Sequence, residues 1–71
     1  MNSLPIQKRN FLFRIGVEVV VRSIDGLYVA DLYVNNKLEV TGTKLHKNYL
    51  DLLIKAEAYY YSRYKNKEEN N

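Results

Sequence analysis

The chain has no cysteine and no tryptophan, one histidine, one proline and three glycines in 71 residues. Without cysteine there is neither a disulfide nor a thiolate metal site to brace it. At this size a single core is marginal unless a disulfide, a metal or another subunit adds to it. Association with a further subunit is the remaining common remedy. No apolar run approaches the roughly 18 residues that a membrane span needs, and no signal-peptide pattern opens the chain. A cytoplasmic location without a membrane partner is therefore expected, the host cytoplasm if the source is viral.

Catalytic groups are equally scarce. His46 is the lone imidazole, and Ser3, Ser23 and Ser62 are each far in sequence from a base of the right kind. A nucleophile needs an adjacent base and a group that orients it. Gly16, Gly26 and Gly42 never approach the spacing of a phosphate-cradling loop. The expectation is a protein that is not an enzyme and holds no cofactor.

What is present is a hydrophobic fraction of 46%, as in globular domains, and 11 basic against 8 acidic residues, for a net charge of +3. That mild excess permits a nucleic-acid or acidic-protein partner without requiring one. Residues 1–10 show no sustained period and carry Pro5, Lys8 and Arg9, which reads as a flexible basic arm. From Phe11 the pattern changes: Phe11, Phe13, Ile15, Val17, Val19 and Val21 alternate with a second set, the period of a long half-buried strand over about 11–22. Gly16 is placed for a bulge or bend within it.

Asp25-Gly26 is a favoured two-residue hairpin turn, since both central residues of a type I′ turn need positive φ. It sets Val21 against Ala30, Val19 against Leu32 and Val17 against Val34, so turn and apolar pattern agree on one register. The second strand covers about 27–34 and the third about 38–42. Between them, a three-residue loop of Asn35, Asn36 and Lys37 sets Val34 against Leu38 and Leu32 against Val40. Gly42 ends the third strand and Thr43 is the expected N-cap of a helix over about 43–65. The fold class is thus α+β, a three-stranded antiparallel meander with one long C-terminal helix on one face. Residues 11–66 form a single domain and residues 67–71 a frayed tail.

The helix carries the most information. Leu45, Tyr49, Leu52, Leu53, Ala56, Tyr59, Tyr60 and Arg63 form the stripe expected to face the sheet. Leu50, Ile54, Tyr61 and Tyr64 extend the apolar arc to roughly 220°, well past the usual width of about 100°. One sheet face cannot cover so much. A partner surface is expected there, with cover from the N-terminal arm or a bend in the helix as the alternatives. Leu50, Ile54, Tyr61 and Tyr64 are accordingly the candidate interface, joined by Phe11 and Phe13 from the first strand, and a homodimer is the expected assembly.

The outer sheet face carries Glu18, Asp31 and Glu39 against Arg14 and Arg22, with too loose a spacing to favour a metal over a solvated polar surface. Asp25-Gly26-Leu27-Tyr28 followed by Tyr33-Val34-Asn35-Asn36-Lys37 resembles the strand and turn pattern of phage-integrase arm-binding domains, a likeness covering about half the chain. That resemblance implies a sheet that enters the DNA major groove, whereas the acidic excess on this face opposes phosphate binding. Nucleic-acid contact is instead expected through Lys8 and Arg9 of the arm and Lys44, Lys47 and Lys55 of the helix. The leading expectation is a small non-catalytic, dimeric interaction module that binds a larger protein and blocks it sterically. Its Asn, Lys and Tyr bias, an AT-rich coding signature, suits a phage or mobile-element accessory protein that inhibits a host protein.

Overall fold

A computed structural model describes residues 4–69, in the order α1 (Pro5–Arg14), β1 (Val17–Ile24), β2 (Leu27–Val34), β3 (Lys37–Val40) and α2 (Tyr49–Glu69). The three strands form one antiparallel sheet in the order β1-β2-β3, so the α+β meander with a C-terminal helix is as expected. The N-terminal helix is the principal addition. Residues 5–14 are neither an arm nor the start of the first strand.

The reason lies in start and stop chemistry. Pro5 occupies the first helical turn, where its missing N–H breaks no hydrogen bond. The Gln7 side chain accepts the Leu4 N–H at 2.9 Å. At the other end Gly16 takes φ +81°, the left-handed conformation that closes a helix, and its N–H reaches the Phe13 carbonyl. Gly16 therefore stops α1 and is not a strand bulge. A helix also buries the consecutive residues Phe11 and Leu12 together, which a strand would send to opposite faces.

The first hairpin has the expected register, Val21 with Ala30, Val19 with Leu32 and Val17 with Val34. Asp25 and Gly26 have φ values of 52° and 80°. The second turn is shorter than expected. Asn35 and Asn36 both take positive φ, and Val34 pairs with Lys37 across a two-residue loop. An irregularity then inserts Glu39, so that Tyr33 faces Leu38 while Leu32 still faces Val40. The bulge reconciles the turn's chemistry with the apolar pattern.

Residues 41–48 are the other departure, because the helix does not begin at Thr43. The chain there stays against the β2 edge: the Gly42 N–H donates to Asp31 Oδ1 at 2.8 Å, and Tyr28 and His46 exchange backbone bonds of 2.8 and 2.9 Å. These bonds require extended backbone, which a helix start would forfeit. The cap is Asn48, whose Oδ1 accepts the Asp51 N–H at 2.8 Å. From Tyr49 the helix continues to Glu69, past the expected end, while Asn70 and Asn71 lie outside the described residues.

Both helices cover the same face of the sheet. The core is built from Phe11 and Leu12 of α1 with Val17, Val19 and Leu32 of the sheet, and Leu53, Ala56, Tyr60, Tyr61 and Tyr64 of α2 close over it. The excess apolar arc of α2 is thus met in part by the chain's own N-terminal helix, where Phe11 packs on Tyr61.

Candidate interaction surface

The structure divides the six expected interface residues into two groups. Phe11 is 7% exposed, and the Tyr61 ring stands edge-on to it with centroids 5.2 Å apart. Lys65 Nζ lies 5.3 Å from the centroid of the same phenyl ring. Tyr64 is half-buried against the core and Ile54 is half-buried on α2. Phe11 and Tyr61 therefore lie in the seam between α1 and α2 inside one chain, and Tyr64 lines the cavity between β3 and the end of α2. Leu50 and Phe13 face outward, 58% and 74% exposed.

The seam has a charged anchor that the sequence pattern concealed. Glu57, which interrupts the apolar arc, is buried and receives two hydrogen bonds from Arg9 of α1, at 2.7 and 3.2 Å. Hydrogen bonding and charge from Glu57 hold the Arg9 guanidinium above its ordinary pKa. A lone carboxylate inside an apolar arc, together with an arginine on an unassigned segment, was the signal available.

The cationic residues do not gather into one patch. Arg9 is paired with Glu57, and Lys55 lies 3.0 Å from Asp51 one turn away on α2. Lys8 is half-buried on α1. Lys44 and Lys47 are exposed on the connector before α2 and not on the helix. Of the carboxylates on the outer sheet face, Asp31 is buried and engaged by Arg22 Nε at 2.7 Å and by the Gly42 N–H. It thus acts as a structural link between β1, β2 and the connector. Among the described residues no group of three His, Cys, Asp or Glu side chains could hold a metal ion.

Three features of this scaffold stand out among the described residues. At the N-terminal end of α2, Leu45, Tyr49 and Leu50 are all exposed within one short stretch, with Tyr49 edge-on to Tyr28 at 5.6 Å. Beside β1, a groove of about 410 Å³ runs between Arg9 and Phe13 of α1, Tyr49 and Leu53 of α2, and consecutive residues Val17 to Val21. A second cavity of about 460 Å³ lies between β3 and the last turns of α2, where burial above all raises the pKa of Tyr60.

Among the described residues no helix is long and apolar enough to cross a membrane. Comparison with protein-family models, with curated proteins and with solved structures finds no significant match.

Proposed function

We propose that the protein is a small non-catalytic interaction module of the cytoplasm, which meets a larger protein through the apolar corner formed by Leu45, Tyr49 and Leu50. The observation that carries this reading is the exposure of all three side chains at and just before the start of α2, while further along that helix Tyr61 is met by Phe11 of α1. Exposed aromatic and aliphatic anchors of this kind are the usual energetic centre of a protein interface. The Asn48 cap fixes the start of the helix that carries Tyr49 and Leu50, so little ordering of these two is required on binding. The mode of action is steric: a compact domain covers a surface that its partner needs. Nucleic-acid binding is the weaker reading, because Arg9 and Lys55 already have carboxylate partners.

A photo-reactive amino acid placed at Leu50, in cells that express the protein, tests the proposal, with Lys37 of β3 as the control position. A discrete adduct heavier than two copies of the chain, formed at position 50, absent at 37 and lost when Tyr49→Asp is added, is the expected result. Absence of any such adduct, or one equally strong from position 37, overturns it.

A further inference from the structure

The two edges of the sheet differ in how they are protected. β3 is four residues long, begins with Lys37 and is interrupted by the bulge at Glu39. Short length, lysine and bulges are the devices by which sheets prevent further pairing. β1 is eight residues of sequence Val-Glu-Val-Val-Val-Arg-Ser-Ile, paired without irregularity to β2, with neither lysine nor proline. Its other side is the wall of the groove.

The orientation of the free backbone groups follows from the hairpin. The Asn35 N–H donates to the Gly16 carbonyl at 2.7 Å, so the even-numbered residues of β1 make the hydrogen-bonded pairs with β2. Val17, Val19, Val21 and Ser23 consequently direct their N–H and C=O groups away from β2, towards the groove. A further strand can satisfy such a row in full, where otherwise water must.

We infer that this strand is β1 of a second copy, paired antiparallel about a two-fold axis at Val20. The inference deepens the reading of the chain as an interaction module by naming one partner. Antiparallel pairing must match outward-facing residues with each other, which restricts the registers to alternate steps. With Val20 opposite its own symmetry mate, Val19 pairs with Val21 and Val17 with Ser23, all of them outward-facing. The same register sets Glu18 opposite Arg22 twice, once on each side of the axis. Glu18 is exposed and makes no ion pair among the described residues, while Arg22 uses Nε for Asp31 and keeps its Nη groups for a further carboxylate. Shifting by one allowed step towards the start of β1 places Glu18 against Val20, and a second such step places Glu18 against Glu18. Charge therefore selects the register, as cross-strand pairs do within sheets. Val17, Val19 and Val21 of both copies would then share one apolar face beneath the helices. The product is a six-stranded sheet with both β1 edges closed.

The absence of cysteine makes the register directly testable. In Val20→Cys the two thiols would face each other across a non-hydrogen-bonded pair, with Cα atoms about 4.5 Å apart, within disulfide reach. Light scattering across a concentration series should give twice the chain mass for the wild type. Val20→Cys should oxidise to a covalent dimer at least tenfold faster than Leu50→Cys. Glu18→Arg opposes like charges on both sides of the axis and should weaken the dimer about tenfold. Val21→Pro removes an outward N–H without touching the β2 ladder and should give a monomer. Circular dichroism of both variants should match the wild type.

A wild type that stays monomeric at the highest concentration overturns the inference, as does equal oxidation of the two cysteine variants. So does a dimer that survives both Glu18→Arg and Val21→Pro with the fold intact. A monomer whose groove takes up a strand from another protein also overturns it. Leu45→Asp should leave the mass unchanged while removing the heavier photo-adduct formed from position 50. The self-pairing and the foreign interface can therefore fail separately.

Discussion

Arg9 Nε and Glu57 Oε2 lie 2.7 Å apart, and this pair ties the N-terminal helix to the C-terminal one across 48 positions of sequence. The Glu57 side chain is 5% exposed and that of Arg9 45%. Removing the arginine would leave a carboxylate in an apolar seam with reduced access to water. Arg9→Met should therefore destabilise the fold by about 1–2 kcal/mol, less than a fully buried pair because water still reaches the guanidinium side. Replacing both partners, Arg9→Met with Glu57→Leu, should recover most of that loss. Urea unfolding of the two variants decides the matter: equal destabilisation would show that the pair is not what holds the seam.

Gly42 separates two ways in which a glycine can be required. Its φ is not in the left-handed region, but a Cβ there would run into the carbonyl oxygen of Ala30 on β2. The neighbour is backbone and cannot rotate away. Gly42→Ala should cost on the order of 2–3 kcal/mol and loosen the connector that brings α2 over the sheet. Gly26→Ala, at φ +80° in open space, should cost about 1 kcal/mol through the turn conformation alone. Thermal unfolding of the two variants would rank them, and the reverse order would contradict the packing described for residue 42.

The first hairpin was legible because two unrelated constraints, the Asp25-Gly26 turn and the alternation of valines, demand one register. The N-terminal helix was not, because Phe11, Phe13 and Ile15 continue the period of β1. Lys8, Phe11, Leu12 and Ile15 also fit a helical period, bounded by Pro5 and Gly16, so the local signals conflicted. Tertiary packing of Leu12, now 1% exposed, resolves the conflict. The same helix changes the setting of the interface residues: with α1 on α2, Phe11 is buried edge-on to Tyr61, while Tyr61 and Tyr64 are half-buried. Leu50 and Phe13 stay outside because the helix pair does not extend over them. Thr43 failed as a cap for a different reason. The β2 edge competes for the backbone of residues 42–46, and only Asn48 lies where the chain is free to turn into a helix.

That cap has its own expected magnitude. Asn48→Ala removes the acceptor of the Asp51 N–H and should destabilise the protein by about 1 kcal/mol, whereas Thr43→Ala should be within about 0.5 kcal/mol of the wild type. Hydrogen exchange at the first turn of α2 would localise the effect. Protection lost there but retained in β1 and β2 is the expected pattern, and uniform loss would contradict a local cap.

Asp31 makes stability depend on pH in a defined direction. Burial pushes its pKa up, but the Gly42 N–H and the Arg22 guanidinium together outweigh burial and leave the carboxyl below its ordinary 3.8. A group whose pKa is depressed by folding contributes stability that is complete above the unfolded value and lost as pH falls through the folded one. The wild type should therefore lose this contribution only below about pH 4. Asp31→Asn keeps the size but not the charge, so it should be less stable by about 2 kcal/mol at neutral pH. Its difference from the wild type should then hold constant down to about pH 4 and shrink only below it. Melting temperatures measured from pH 7 down to pH 2 test both parts. A difference that stays constant across that range would mean that Asp31 holds Gly42 and Arg22 by shape and hydrogen bonding alone, and not by its charge.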